Sequence, residues 1–188
     1  MFRYLFVLCV AASLAACASP AKVSAMVGMP TVQLAANSPL KQSVQVTSVL
    51  GGKDTNPLWT SQVGNGEFQQ ALQETLSQQG MLSAMGARYR LEVALVELKQ
   101  PFIDLTYTVT SSVHYTLKES ASGRVAFDQT VTVDGMATVS DAFAGVERLR
   151  LANENSIKNN LSKFLDQLIG MLGRGMASIG AVDVRING

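Results

Sequence analysis

Ile103-Asp104-Leu105-Thr106-Tyr107-Thr108-Val109-Thr110-Ser111-Ser112-Val113-His114-Tyr115-Thr116-Leu117 is the stretch whose reading decides the fold. Its odd positions run Ile, Leu, Tyr, Val, Ser, Val, Tyr, Leu; its even positions from 104 to 116 run Asp, Thr, Thr, Thr, Ser, His, Thr. Successive side chains of a strand point to opposite sides, so a period of two with one apolar side means a strand with one buried face. Residues 119–123 make a turn, after which Val125, Phe127, Val131, Val133, Ala137 and Val139 continue the alternation. The two runs form an antiparallel hairpin with a threonine-rich outer face.

Working upstream, Tyr89, Leu91, Val93 and Leu95 alternate with Arg88, Arg90, Glu92 and Ala94, and the pattern then slips to Val96 and Leu98. Such a slip indicates a β-bulge, and Pro101, which lacks an amide donor, closes the strand. Before it, Phe68, Ala71, Leu72 and Leu76 make one apolar stripe at helical spacing. Asn65 is positioned to cap that helix, Glu67 favours its first turn, and Gly80 ends it with Met81-Leu82 packing back. Residues 43–50 read as a first strand with Val44 and Val46 inward, ended by Gly51-Gly52. The following loop holds the single tryptophan, Trp59, a cover for the core edge or, alternatively, a partner anchor.

Downstream, Ser140 or Asp141 starts a second helix that runs to about 172, with Val146, Leu149, Ile157, Leu161, Phe164, Leu165, Leu168 and Leu172 inward. Asn153, Asn155, Asn159 and Asn160 are poor helix formers and indicate a kink or polar contacts to the sheet. The order β-α-β-β-β-α predicts an α+β fold: an antiparallel four-stranded sheet with two helices on one face, preceded by a signal peptide and a flexible tether. The divisions are 1–16 signal, 17–41 tether, 42–172 domain, and 173–188 a Gly-rich tail or a short edge strand with Val182, Val184 and Ile186.

The N-terminus carries its own signature. Arg3 precedes an unbroken apolar or small run from Tyr4 to Ala12, then Ser13 and Leu14-Ala15-Ala16-Cys17. A charged start, a short apolar core and small residues at the end make a secretory signal. A membrane-spanning helix would need about 20 apolar residues. Leu14-Ala15-Ala16-Cys17 resembles the lipobox of bacterial lipoproteins, which implies cleavage before Cys17 and a covalent lipid on its thiol. Each buried methylene contributes about 0.8 kcal/mol, so two or more acyl chains hold firmly. The resemblance also implies sorting: an aspartate after the cysteine retains such proteins in the inner membrane, whereas Ala18 points to the periplasmic face of the outer membrane. Residues 18–41, rich in Ala, Ser, Pro and Gly, would span on the order of 25–30 Å as a flexible coil, with 29–34 able to lie against the domain instead.

Composition narrows the chemistry. The sequence has 15 basic and 14 acidic side chains, and loss of Arg3 with the signal would balance them at 14 each. The basic groups are scattered, so neither nucleic acid nor an anionic membrane patch is an expected partner. Of two cysteines, Cys9 would leave with the signal and Cys17 would be alkylated, so neither disulfide nor thiol chemistry is expected. His114 is the single histidine; a zinc site needs three or four ligands and a catalytic histidine needs a nucleophile and an orienting acid. Asp128 and Asp134 on the neighbouring strand are within plausible reach of it. No phosphate loop, dinucleotide fingerprint or nucleophile elbow is present. We therefore expect no catalytic residues, no metal, and no cofactor beyond the lipid on Cys17.

The element order behind a lipobox resembles a group of small outer-membrane lipoproteins: the lipopolysaccharide-assembly lipoprotein, the auxiliary lipoproteins of lipid-transporting ABC systems, and uncharacterised relatives. The run Val146-Glu147-Arg148-Leu149-Arg150-Leu151-Ala152-Asn153-Glu154 is similar to a segment of uncharacterised proteobacterial lipoproteins. These resemblances imply a noncatalytic accessory in envelope assembly or transport that binds a protein or lipid. Trp59, Thr106, Thr108, Thr110 and His114 are its candidate contacts. Alternatives are a subunit of an oligomeric secretion pore built from long hairpins, and an envelope hydrolase; oligomeric state stays open.

Overall fold

The computed structural model describes residues 18–57, 60–102 and 104–180. Its elements, in chain order, are α1 (Val23–Met26), β1 (Val44–Leu50), α2 (Asn65–Gln78), β2 (Tyr89–Lys99), β3 (Tyr107–Glu119), β4 (Val125–Ala137) and α3 (Gly145–Gly180). The four strands form one sheet in the order β1-β2-β3-β4. Val44, Leu91, Val109, Val113, Tyr115, Leu117 and Phe127 bury one sheet face against Phe68, Leu72 and Leu76 of α2 and Ile157, Leu161 and Phe164 of α3.

The architecture is α+β, but the sheet is mixed and not antiparallel throughout. β1 pairs with β2 in parallel, Val44 opposite Tyr89, while β2–β3 and β3–β4 are antiparallel. The reason is α2: a helical crossover between two strands returns the chain to its starting end, so the second strand must run in the same direction. The bulge expected near Val96 is a register shift between Leu95 and Glu97. The run from 103 does not belong wholly to β3, which begins at Tyr107. Asp104 turns the chain there, its Oδ1 accepting the amide of Leu105 at 2.6 Å, and Leu105 is left exposed.

Helix ends also differ from expectation. The N-cap of α2 is Gly64; Asn65 instead accepts the Gly52 amide at 2.8 Å and ties the loop after β1 to the helix. Gly80 does end that segment, at φ +65. Ser140 and Asp141 do not cap α3, because Asp141 is spent on a turn in which it accepts the Thr138 amide at 2.7 Å. The helix α3 continues to Gly180, through part of the stretch expected to be a tail; Val182, Val184 and Ile186 lie outside the described residues.

The expected flexible tether is, over residues 18–41, a packed part of the domain. It runs along α2 and α3 and contains the third helix, α1. Met26 is fully buried, an apolar burial that stabilises by about 1.5–3 kcal/mol. Backbone amides along this segment are taken up by side chains: Lys22 by Glu154 at 2.7 Å, Gly28 by Thr75 at 2.9 Å, Met29 by Ser162 at 2.9 Å, and Thr31 and Val32 by Asp166 at 2.7 and 2.8 Å. A Cβ at Gly28 would lie 2.8 Å from Leu161 Cβ, so only glycine permits this approach to α3. Small residues that read as tether composition are here the condition for close packing.

The asparagines of α3 make contacts to the sheet. Asn160, fully buried, donates to the Val131 carbonyl at 2.9 Å and the Ser111 carbonyl at 3.1 Å, and accepts from Tyr115 at 2.8 Å. Ser156 donates to Ser111 Oγ at 2.7 Å. One helical turn beyond Asn160, Phe164 stacks flat on Tyr115 with centroids 3.9 Å apart. Burial holds the Tyr115 phenol well above its ordinary pKa, so it stays a neutral donor. Gly135 of β4 is required where α3 crosses, since a Cβ there would overlap the backbone of Ser156.

Candidate functional site

The helices α2 and α3 cover one sheet face and leave the other open. On the open face, even-numbered residues of β3 and β4 form cross-strand pairs. Thr110 donates to Asp134 at 2.6 Å, Ser112 and Thr132 lie 3.0 Å apart, and Thr116 donates to Asp128 at 2.9 Å. His114 sits between them, Nδ1 3.0 Å from Thr130 Oγ1 and Nε2 2.9 Å from Asp128 Oδ1. Such side chains reach one another because Cβ atoms directly opposite on paired strands lie within about 5 Å. The result is a surface rich in hydroxyls and carboxylates whose paired side chains are already ordered.

What this surface does chemically is limited by its backbone. An acyl-transfer site needs free N–H donors beside the nucleophile, whereas the amides around His114 serve an antiparallel ladder on both sides. Both imidazole nitrogens are engaged by strand neighbours. Among the described residues, no group of three or more His, Asp or Glu is placed to hold a metal ion.

A second region lies at the end of the sheet where β1, β2 and β4 finish and β3 and α3 begin. Its polar centre is Ser61, whose carbonyl accepts from Gln100 at 2.9 Å and Asn153 at 3.1 Å; Gln100 also donates to Asn153 Oδ1 at 2.9 Å. Ser61 Oγ donates to the Ser19 carbonyl at 2.7 Å, and the Ala18 amide donates to Pro57 at 2.8 Å. A cavity of about 380 Å³ opens beside this cluster, lined in part by Lys53, Gln62, Glu97 and Gln100.

Arg148 organises the rest of that end. Its guanidinium donates to the carbonyls of Phe143 at 2.6 Å and Ala142 at 3.0 Å, reaches that of Asp104 at 3.5 Å, and lies over the Tyr107 ring. One cation thus clasps the β2–β3 and β4–α3 loops together. The loops expose Phe102 (97%), Phe143 (92%) and Leu105 (74%) to solvent. Nearby, Arg150 and Glu154, 4% and 2% exposed at their side chains, form a buried ion pair that Glu147 joins. Hydrogen bonding by Arg150 holds the Glu147 carboxyl below its ordinary value.

Thr108, Thr110 and His114 therefore share the open sheet face, while Thr106 lies just before β3 at the other region. Leu14, Ala15, Ala16, Cys17 and Trp59 lie outside the described residues. Sequence reasoning missed Gln100, Ser61 and Arg148 because each is isolated in sequence and acquires its partners only in the fold. The slip at Val96 was the available signal, since the bulge it marks lines the cavity.

No family model matches the sequence, and no curated protein matches it. Solved structures do. A protein of the DUF330 family from Xanthomonas campestris has a TM-score of 0.54 at 13% identity, covering 79% of this chain and 97% of its own. A Caulobacter crescentus protein, provisionally assigned as a lipoprotein, has a TM-score of 0.52 at 15% identity, covering 70% of this chain and 92% of its own. A dodecameric PelC from Paraburkholderia phytofirmans is a looser likeness, with a TM-score of 0.44 at 19% identity over 74% of this chain and 92% of its own. The first two show that this chain has a fold found in bacterial proteins, one of them bearing a lipoprotein assignment.

Proposed function

We propose that this protein is a noncatalytic accessory lipoprotein of the bacterial envelope. It is acylated on Cys17, is held at the periplasmic face of the outer membrane, and binds an envelope protein or lipid during assembly or transport. The observation that carries this reading is Leu14-Ala15-Ala16-Cys17 at the end of a short apolar signal, followed by Ala18. The shared fold with a provisionally assigned lipoprotein is consistent with it. Among the described residues, no helix is long and apolar enough to cross a membrane.

The open sheet face supports a binding role. Thr110, Ser112, His114 and Thr116 are pre-ordered by cross-strand hydrogen bonds, so a partner docking there spends little further side-chain entropy. The test is in-cell photocrosslinking from positions 110 and 114, with position 122 at the β3–β4 turn as control. A discrete adduct from the sheet face that is absent at 122 is the expected result. Identical diffuse labelling from all three positions contradicts a binding surface.

A further inference from the structure

We infer that the end of the domain carrying Phe102, Leu105 and Phe143 rests directly in the membrane interface, with no leash between bilayer and fold. This rests on the lipid anchor at Cys17 proposed above. The occupant of the apolar tips is the acyl and headgroup region of a bilayer.

The chain is tied down at its first described residues. Ala18 is buried at 6% exposure, and its amide is bonded to Pro57. The Ser19 carbonyl is bonded to Ser61, Ala21 donates to Gln62 at 3.3 Å, and Lys22 donates to Glu154. The residue before Ala18 is one trans peptide away, about 3.8 Å between Cα atoms. An acyl group on Cys17 must therefore leave the protein at this end of the sheet, and cannot hold it at the 25–30 Å that a flexible 24-residue coil would allow.

The same hydrogen-bond cluster places the apolar tips. Ser61 links Ser19 to Gln100, and Phe102 follows Gln100 by two residues, at most about 7 Å of chain. Arg148 joins the carbonyls of Asp104 and Phe143, the neighbours of Leu105 and the β4–α3 loop. Two nearly fully exposed phenylalanines and a leucine on adjoining loops are costly in water but suited to an interface, where an apolar face sinks about 5–10 Å. Val139, 42% exposed, lies on the same loop as Phe143. At the far end Met85 and Val125 are exposed, but the β3–β4 turn between them is Ser120-Ala121-Ser122-Gly123, polar or small throughout. Thirteen residues of β3 separate the two ends, about 40 Å of strand.

Contact by loops and acyl chains together would fix the domain upright, with β3 pointing away from the membrane and the open sheet face turned sideways to the periplasm. A second docked copy or another protein could cover the same tips, and the experiment separates these.

The full acylated protein is purified from membranes and reconstituted in phosphatidylethanolamine–phosphatidylglycerol vesicles whose acyl chains are brominated. Single variants Phe102→Cys, Leu105→Cys, Phe143→Cys and Ser122→Cys each carry one thiol-linked fluorophore, since Cys17 is blocked by its lipid. Palmitate incorporation and vesicle flotation are measured on the same samples. With both positive, bromine quenching of the labels at 102, 105 and 143 about threefold stronger than at 122 is the result expected for interfacial depth. With both positive, labels at 102, 105 and 143 as open to aqueous iodide as the label at 122 overturn the inference and leave the anchor intact. Protection from both bromine and iodide also overturns it, because a protein then covers the tips. Absence of palmitate brings down the anchor reading, and the inference falls with it.

Discussion

Asn160 is the residue whose replacement tests the packing argument most sharply. Changing Asn160→Leu keeps the side-chain size while removing one acceptor and two donors from a fully buried site. The Tyr115 hydroxyl is then buried without its acceptor, which costs about 1–3 kcal/mol, and each lost bond to a carbonyl costs about 1 kcal/mol more. Part of this is offset by the apolar burial of leucine, so the net loss is about 3 kcal/mol. With a urea m-value of about 2 kcal/mol/M, the unfolding midpoint falls by about 1.5 M. Tyr115→Phe alone should cost about 1 kcal/mol. In the double variant the two costs should not add, because with the hydroxyl gone leucine no longer strands a donor; the coupling should be about 1–2 kcal/mol. Urea titrations of the four proteins by circular dichroism decide the matter. Strict additivity, or a loss below about 1 kcal/mol for Asn160→Leu, refutes the claim that this amide holds α3 to the sheet.

Other expectations follow from the same contacts. Gly135→Ala drives a methyl group into the backbone of Ser156 and should destabilise by about 2–3 kcal/mol, read as a lowered thermal midpoint with unchanged secondary structure. Glu154→Ala leaves Arg150 buried with Glu147 alone and frees the Lys22 amide; it should cost about 3 kcal/mol and make the chain cleavable by trypsin after Lys22, whereas resistance there contradicts the docked N-terminal segment. Acid should destabilise the fold. Glu147, Asp141 and Glu119 are lowered in the folded state by Arg150, by the Thr138 amide and by the Ser122 hydroxyl respectively. Carboxyls lowered by folding contribute stability above their unfolded values, 4.5 for Glu and 3.8 for Asp, and lose it as pH falls through the folded ones. Unfolding midpoints should thus be flat near neutrality and drop below about pH 4.5; a rise on acidification contradicts these contacts.

The sheet was legible in the sequence because alternation is local: Val109, Val113, Tyr115 and Leu117 needed no knowledge of what lies opposite. Its parallel edge was not, since the sense of β1 depends on α2 crossing the sheet. Ser111 stood as a polar break in an apolar face, and Asn153, Ser156 and Asn160 as breaks in an apolar stripe. In the fold Ser111, Ser156 and Asn160 are one hydrogen-bonded seam, while Asn153 joins Ser61 and Gln100 at the end of the sheet. The segment 18–41 misled because Ala, Ser and Gly serve equally a mobile linker and a backbone pressed against a helix. Gly28 against Leu161 is the second case, visible only with both partners in place. Leu105 was counted into β3 by alternation, yet the Asp104 turn makes it a tip, and periodicity cannot distinguish an exposed phenylalanine such as Phe102 from a buried one.

Everything proposed about placement depends on the thiol of Cys17. Trypsin cleavage after Lys22 under denaturing conditions releases the mature N-terminus, and mass spectrometry of that peptide from whole membranes tests the account directly. The account predicts residues 17–22 beginning at Cys17 and carrying diacylglyceryl and amide-linked acyl mass, lost together with membrane fractionation in Cys17→Ser. Recovery of Cys17 unmodified, either in a chain that still carries residues 1–16 or after cleavage elsewhere, would contradict it.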